Sequence, residues 1–215
     1  MLTIASSLIT LTIFLLAMSS KINSKDIIIK QKEKVSELDW SDFLQSEFDK
    51  KEFDNFITKL ITNMEKGIKF APAMKDWFHD FFSTSFTDLK VVLISQDGLA
   101  LNDDFLTGAE LKEQGVMFYP LERTTSSDGK SQLDTWRLFN TYFVDYLAAH
   151  KETIVCVFIG FEACQFADLF EKDTHYKIFL PEASHSLYDT DLFYNMFSKN
   201  VNALLEKHDL DPINW

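Results

Sequence analysis

Two polar residues directly follow an apolar run near the middle of the sequence. Residues 89–95 read LKVVLIS, and Gln96, Asp97 and Gly98 come next. A carboxylate at the end of a buried strand, beside a glycine that permits a sharp turn, can act as a general base or order a water molecule. Asp97 is therefore a candidate catalytic residue. The structural alternative is that its side chain caps the turn or the following helix.

A second candidate lies in the loop after a later apolar run. His185 stands between Ser184 and Ser186, shortly after the run at residues 176–180. At a strand end its imidazole could stabilise developing negative charge, and a solvated surface histidine is the alternative. The five histidines lack the spacing of metal ligands, and Cys156 lies within an apolar run that is typical of a core. We therefore expect neither a metal nor a cofactor.

The pattern of apolar residues predicts the elements that position these side chains. Continuous β-branched runs predict buried parallel strands at residues 89–95, 116–119, 153–160 and 176–180. Apolar residues at steps of three and four predict helices at residues 42–61 (two helices), 72–82, 133–147, 163–170 and 193–207. Strands that alternate with helices predict an α/β layer fold with a mostly parallel sheet. Functional side chains of such sheets lie at the carboxyl ends of the strands.

The first 38 residues differ in composition from the rest. Residues 2–18 form an uncharged, largely apolar run of 17 residues, at the lower limit for a helix that spans a bilayer. All nearby lysines follow the run, which would hold the remainder on the cytoplasmic side of a membrane. The run is either a membrane anchor or lies upstream of a true start at Met18, with a signal peptide as the third interpretation. Residues 19–38 predict a polar linker or a frayed helix, so the folded domain is expected at residues 39–215.

Composition and charge limit the class of protein. With 46% hydrophobic and 14% aromatic residues, the chain of 215 residues can bury one globular core. Two cysteines exclude a disulfide scaffold and indicate a reducing compartment, which we expect to be the cytoplasm. The formal net charge is −12. An acidic surface opposes binding to nucleic acid unless the basic side chains cluster on one face.

Five stretches of the predicted domain, in order, read LDWSDFLQSEFDKKEF, FAPAMKDWFHDFF leading into TDLKVVLISQD, EQGVMFYP, TIVCVFIGFEA and FSKNVNALLEKHDLDPINW. In this order they resemble the family 1 uracil-DNA glycosylases, from about residue 38 to the last residue. The final stretch is the most distinctive, because it opens a helix with FSK at residues 197–199 and ends with PINW at residues 212–215.

The resemblance implies a three-layer fold with a central four-stranded sheet. It also implies an activity, hydrolysis of the N-glycosidic bond of uracil in DNA after the nucleotide is flipped out of the stack, without metal or cofactor. By position, Asp97 would polarise the attacking water, Gln96 would contact uracil, and Leu187 would fill the gap left by the flipped base. The family's electrophilic histidine is Ala183 here, and His185, two residues later, is a displaced candidate for that role.

Other positions of the family's site are changed. Leu99 stands where a tyrosine excludes thymine, and Pro120 replaces the asparagine that reads the edge of uracil. The chain is shortened between residues 105 and 113, where the family carries the ring that stacks on uracil. A Gly-Ser step that contacts phosphate is Gly160-Phe161 here. These changes predict weak or lost activity, because each lost transition-state contact lowers the rate by about 10²–10³.

Two functions therefore follow from the sequence. The first is a divergent uracil-DNA glycosylase, expected to be a monomer that acts on uracil-containing DNA in base excision repair. The second is a non-catalytic descendant of that fold, whose acidic surface docks a protein partner. Residues 2–18 would tether either one to a membrane if they form an anchor. Release of uracil from DNA distinguishes the two functions.

Overall fold

The computed structural model describes residues 24–97, 108–181 and 191–215. The predicted anchor at residues 2–18 lies outside them and stays a prediction. Within the described ranges, no helix combines the length and the apolar character needed to cross a membrane.

Helices and strands alternate along the chain in the predicted order. The helices are α1 Ser24–Val35, α2 Ser41–Asp49, α3 Lys51–Glu65, α4 Asp80–Ser83, α5 Gly108–Glu113, α6 Leu133–His150, α7 Phe161–Cys164 and α8 Asp191–Glu206. The strands are β1 Phe70–Ala71, β2 Val91–Ser95, β3 Val116–Pro120, β4 Thr125–Ser126, β5 Ile154–Ile159 and β6 His175–Leu180. Short 3-10 helices lie at Met74–Asp76 and Ala167–Leu169.

The central sheet has four parallel strands in the order β3, β2, β5, β6. The four strands predicted from apolar runs are confirmed, each within two residues of its predicted ends. At the end of β2, Ser95 pairs with Pro120 of β3 and with Ile159 of β5. Because the strands are parallel, their carboxyl ends meet at one edge, where the sequence places its candidate site. The short strands β1 and β4 form a separate antiparallel pair.

Helices cover both faces of the sheet, which gives the three layers expected from the resemblance. On one face, an aromatic core joins α2, α3 and α6 to the side chains of alternate sheet positions. Its largest fully buried members are Trp40, Phe43, Phe78, Phe81, Tyr119, Trp136, Phe143, Phe158 and Phe170. On the other face, α5, α8 and the end of the chain contribute Leu111, Phe197, Val201, Leu205 and Ile213.

The segment at residues 19–38, predicted to be a polar linker or a frayed helix, contains a helix in the structure. Over most of it the chain forms α1, in which Ile28 and Val35 are buried against the aromatic core. These two residues are seven positions apart, so they lie on one face of the helix. Gln31 is also buried and donates a hydrogen bond from Nε2 to the carbonyl of Met74 at 3.2 Å. The folded body therefore includes α1 and extends to Ser24, ahead of the predicted boundary at residue 39.

The predicted helix at residues 72–82 is interrupted. It consists of a 3-10 helix followed by α4, because the carbonyl of Trp77 accepts a hydrogen bond from Arg123 Nε at 3.1 Å. In a continuous α-helix that carbonyl would accept from the amide of Phe81. The Phe81 amide instead donates to the carbonyl of Phe78 at 3.2 Å. A side chain from another part of the chain has thus replaced a helical hydrogen bond.

Gly115 sets the close approach of β3 to β2, and we expect Gly115→Ala to be strongly destabilising. Its carbonyl accepts the amides of Lys90 at 2.9 Å and Val91 at 3.1 Å. Its φ is +87°, and an added Cβ would lie 2.1 Å from the carbonyl oxygen of Asp88. The left-handed backbone alone costs a non-glycine residue about 1–2 kcal/mol, and the contact with backbone adds to it. Urea denaturation measures the loss in the free energy of unfolding.

Gly129→Ala is the matched control for this prediction. Gly129 has a similar φ of +71°, but an added Cβ would meet no atom within 4 Å. Its substitution should therefore cost only the backbone strain, about 1–2 kcal/mol. Equal losses for the two variants would contradict a steric role for Gly115.

Candidate active site

The carboxyl end of β2 presents two of the predicted site residues. Ser95 is buried, Gln96 is half-buried and Asp97 is exposed. The hydroxyl of Ser95 donates a hydrogen bond to the backbone carbonyl of Asp97, which fixes the turn directly after the strand. The Asp97 carboxylate is thus carried at the surface by a turn that is bonded to a buried residue.

Backbone hydrogen bonds continue beyond the paired ends of β2 and β3. The amide of Leu121 donates to the carbonyl of Ser95 at 2.8 Å, and the amide of Glu122 donates to the carbonyl of Gln96 at 2.9 Å. The backbone of Gln96 is therefore fixed by its neighbour strand, and its side chain stands at the edge of the sheet. Precise placement of this kind is what a catalytic or binding group requires.

Pro120 ends β3 and pairs with Ser95. Its position beside β2 matches the expectation that this residue lies in the site, and proline offers no side-chain hydrogen bond to a base. Tyr119 and Leu121, the residues on either side of Pro120, both form hydrogen bonds to Asn140 of α6, which is fully buried. Tyr119 Oη donates to Asn140 Oδ1 at 2.9 Å, and Asn140 Nδ2 donates to the carbonyl of Leu121 at 2.8 Å. Burial raises the pKa of Tyr119, so its hydroxyl stays protonated and acts as the donor.

Asn140→Leu should lower the free energy of unfolding by about 1–3 kcal/mol, because the buried Tyr119 hydroxyl and the Leu121 carbonyl each lose their partner. Chemical denaturation checks this loss. The double variant Tyr119→Phe/Asn140→Leu is the control. It removes the Tyr119 hydroxyl, one of the two groups left without a partner, and should recover part of the lost stability. A double variant less stable than Asn140→Leu alone would contradict the assigned network.

Three further residues after β3 are anchored to neighbouring elements. The carboxylate of Glu122 accepts the amide of Gln132 at 2.5 Å and the hydroxyl of Ser131 at 3.0 Å, at the start of α6. A negative charge at a helix amino terminus is favourable because of the helix dipole. The hydroxyl of Thr124 accepts the indole N–H of Trp136 at 2.9 Å. Glu122 therefore acts as a structural carboxylate, although it lies close to Gln96 in the backbone.

Arg123 is the third anchor and is buried, with 5% of its surface exposed. Its Nη2 donates to Asp80 Oδ2 of α4 at 2.6 Å. Its guanidinium carbon lies 4.9–6.0 Å from the centroids of five aromatic rings, those of Phe78, Phe81, Tyr119, Trp136 and Phe139. Arginine beside aromatic faces is stabilised by cation–π attraction. The segment that follows β3 is consequently fixed to the helical layer by a charge pair and by ring contacts.

The carboxyl end of β5 lies on the other side of β2. Gly160 follows it with a φ of +83°, and its amide donates to the carbonyl of Leu180 at 3.0 Å. Phe161 comes next and is 77% exposed. At the position where the resemblance implies a hydroxyl that contacts phosphate, the structure thus has a solvated aromatic ring.

The structure brings Gln96, Asp97, Pro120 and Phe161 to one edge of the sheet. The positions of His185 and Leu187 lie outside the described residues, so their roles stay predictions. In residues 24–97, 108–181 and 191–215 there is no group of three or more His, Cys, Asp or Glu side chains arranged to hold a metal ion.

Cys156, predicted as a core residue, is buried in β5. Burial raises the pKa of its thiol well above the usual range, so the thiol stays protonated and is not an activated nucleophile. The chemistry available at this edge is that of an exposed carboxylate on a fixed turn, which can orient or deprotonate a water molecule.

Two structural residues of the site were not identified from the sequence. Asn140 was visible as a polar residue on the apolar stripe of α6, a position that signals a buried hydrogen-bond network. Arg123 follows a strand by only a few residues, but nothing near it in the sequence indicates its partner Asp80, which is 43 positions away.

No family model matches the chain. The uracil-DNA glycosylase of Buchnera aphidicola subsp. Acyrthosiphon pisum is 29% identical to it over 221 residues, which cover 83% of this chain and 98% of that protein. The uracil-DNA glycosylase of Amoebophilus asiaticus is 24% identical, over 82% of this chain and 96% of its own length. This chain is a homologue of the uracil-DNA glycosylases. The resemblance read from the five stretches is therefore confirmed.

Solved structures of uracil-DNA glycosylases have the same fold as this chain. The crystal structure of the mimivirus uracil-DNA glycosylase superposes with a TM-score of 0.68 at 17% identity, over 91% of this chain and 90% of that chain. A variant of mimivirus UNG in complex with UGI also gives a TM-score of 0.68, over 82% of this chain and 87% of that chain. The α/β fold expected for a uracil-DNA glycosylase is thus observed.

Proposed function

We propose that this protein hydrolyses the N-glycosidic bond of uracil in DNA, with lower activity than relatives that carry a complete set of uracil contacts. One observation carries the proposal. The Gln96-Asp97 pair stands on a fixed turn at the carboxyl edge of the sheet, with the Asp97 carboxylate exposed. This is the edge at which parallel α/β folds carry their chemistry.

In the proposed reaction, a DNA strand binds at this edge and presents a uracil nucleotide flipped out of the stack. Asp97 accepts a proton from a water molecule, or orients it, while the water oxygen forms a bond to the sugar C1′. The bond between C1′ and uracil N1 breaks, and its electron pair leaves with the base. Gln96 contacts the base, and the proton that Asp97 gains is returned to solvent.

Two residues outside the described ranges complete the proposal. We assign His185 to stabilise the negative charge of the departing uracil, in place of the family's histidine, which is Ala183 here. We assign Leu187 to fill the space that the flipped nucleotide vacates. We also propose that the protein acts as a monomer in the cytoplasm, in line with its two cysteines.

Charge determines the conditions of the assay. The chain has 21 basic and 33 acidic side chains, and this net negative charge opposes the approach of DNA phosphates, so the affinity for DNA is expected to be low. Salt weakens protein–DNA contacts further, so activity should be sought at low ionic strength.

The test is release of uracil from single- and double-stranded oligonucleotides by the purified full chain at low salt. Free uracil is measured by chromatography, and alkali-labile abasic sites are measured on the same DNA. An oligonucleotide with thymine in place of uracil controls for specificity. We expect release from the uracil substrate alone. No release, together with no binding of the oligonucleotide at low salt, would overturn the proposal and favour the acidic fold as a docking module for a protein.

A further inference from the structure

Phe161 has the largest exposed fraction among the large apolar side chains of the described residues, at 77%. It directly follows Gly160 at the carboxyl end of β5. Phe179 of the neighbouring strand β6 is 56% exposed. Exposed aromatic rings forgo the gain from burial, and an exposed ring at the edge that carries the candidate site is a candidate binding contact.

The backbone that carries Phe161 is fixed on both sides. The amide of Gly160 is bonded to the carbonyl of Leu180 on β6. The carbonyl of Gly160 accepts the amide of Cys164 at 3.3 Å, which closes the first turn of α7. The φ of +83° at Gly160 permits the sharp change of direction between β5 and α7. The ring therefore has little backbone freedom to lose when it binds a ligand.

The residue after Phe161 has its charge compensated within the protein. Glu162 Oε2 lies 3.7 Å from Arg137 Nη2 and accepts a hydrogen bond from Gln165 Nε2 at 3.0 Å. The side chain of Phe161 has no group that can bind phosphate. Its chemistry at this position is that of a flat, apolar ring, which favours the face of a base over the DNA backbone.

Phe161 lies at the same edge of the sheet as the candidate active site. Ser95 of β2 pairs with Ile159 of β5, and Asp97 and Phe161 each lie two residues beyond this pair. Neighbouring strands are about 4.8 Å apart. The exposed carboxylate and the exposed ring thus each follow one of two adjacent strands, at the carboxyl end of the sheet.

Phe179 is a second exposed aromatic residue, near the carboxyl end of β6. It precedes Leu180, which accepts the hydrogen bond from Gly160. Its ring stacks on the buried Phe158, with centroids 5.6 Å apart and an interplanar angle of 23°. One face of this ring is therefore packed on the core, while more than half of the residue remains accessible.

We propose that Phe161 is a base-stacking residue, on which a nucleobase of a DNA strand bound at this edge lies flat. The inference rests on the proposed function for the identity of the ligand. It gives this chain an aromatic contact at the end of β5, whereas the segment between residues 105 and 113, where related enzymes carry their stacking ring, is shortened. Recognition through a ring face tolerates different bases, so Phe161 adds affinity for the strand rather than selectivity for uracil.

The test measures binding of a single-stranded, uracil-containing oligonucleotide to the full chain by fluorescence anisotropy at low salt. Phe161→Ala should weaken binding by about 5- to 150-fold, the usual value of one base stacked on an aromatic ring. Phe161→Trp should bind at least as tightly as the unaltered protein. Its added indole fluorescence should be quenched by the oligonucleotide, beyond any change seen with the four native tryptophans. Thermal unfolding should be unchanged in both variants, because the ring is exposed.

Two controls isolate the contact with the base. Leu138→Ala removes an exposed apolar side chain from a groove between α3 and α6 and should leave binding unchanged. The second control is an oligonucleotide in which every base is replaced by an abasic sugar. Its affinities for the unaltered protein and for Phe161→Ala should lie within 2-fold of each other, because it has no base to stack on the ring.

The outcomes separate this inference from the proposed function. Unchanged binding by Phe161→Ala, or an equal loss on the abasic strand, overturns base stacking, even if the protein releases uracil. Weakened binding confined to strands with bases supports it, even if no uracil is released. No binding of DNA by the unaltered protein overturns base stacking, and together with no release of uracil it overturns the proposed function as well.

Discussion

Replacing Asp97 by asparagine is expected to lower the rate of uracil release by about 10²–10⁴, the usual contribution of a general base. The amide cannot accept a proton from water, but it has nearly the same shape as the carboxylate. Because Asp97 is exposed, and the hydrogen bond from Ser95 goes to its backbone carbonyl, the substitution should leave the fold intact. Single-turnover measurement of uracil release separates the chemical step from product dissociation.

Asp173→Asn is the matched control for this loss. It makes the same change of charge at an exposed residue that precedes β6, at the opposite edge of the sheet. Its rate of release should equal that of the unaltered protein. If both variants retain full activity, another group activates the water and the role assigned to Asp97 is wrong.

Arg123→Ala is expected to reduce the free energy of unfolding by about 3–5 kcal/mol. Asp80 would lose the partner of its charge, with only 19% of its side chain exposed to water. The carbonyl of Trp77 would lose a donor, and five rings would border a cavity. Urea denaturation at neutral pH measures the change.

The double variant Arg123→Ala/Asp80→Ala separates the charge pair from the packing. It also removes the Asp80 carboxylate, which has no partner in Arg123→Ala. The double variant should therefore be more stable than Arg123→Ala alone and less stable than the unaltered protein. If the two variants were equally unstable, the loss would come from packing, and the pair between Arg123 and Asp80 would contribute little.

The strands could be predicted from the sequence because their signal is local. The two inner strands, β2 and β5, are buried on both faces of the sheet, and burial of this kind leaves an uninterrupted apolar pattern. The outer strands are less buried, and in β6 half-buried and exposed residues alternate after His175. The position of Asp97 followed from the same pattern, since it comes directly after the run that forms β2. The order β3, β2, β5, β6 depends on pairing between distant segments and was not stated from the sequence.

Long-range contacts explain where prediction and structure differ. The helix expected at residues 72–82 is broken because Arg123, which lies far along the chain, takes the carbonyl of Trp77. Residues 19–38 were interpreted from their polar composition, but Ile28 and Val35 are enough to bury one face of α1. The polar composition of such a segment reflects the solvated side of the helix, whereas the spacing of its few apolar residues indicates the side that packs.

The exposure of Phe161 could not be read from the sequence. A phenylalanine after an apolar strand is usually part of the core, and most aromatic rings of the described residues are buried as predicted. The turn at Gly160, bonded to β6, directs the next residue to the surface. Only the three-dimensional arrangement distinguishes this ring from the others.

The anchoring of residues 121–124 has a consequence for how such a protein changes over time. These residues are held by Asn140, Asp80, Trp136 and the start of α6. The surface positions that face a substrate contribute little to this support. Substitutions at the exposed positions around the candidate site can therefore accumulate with almost no loss of folding stability. Activity at that site can weaken, disappear or change during evolution, while selection for stability preserves the fold.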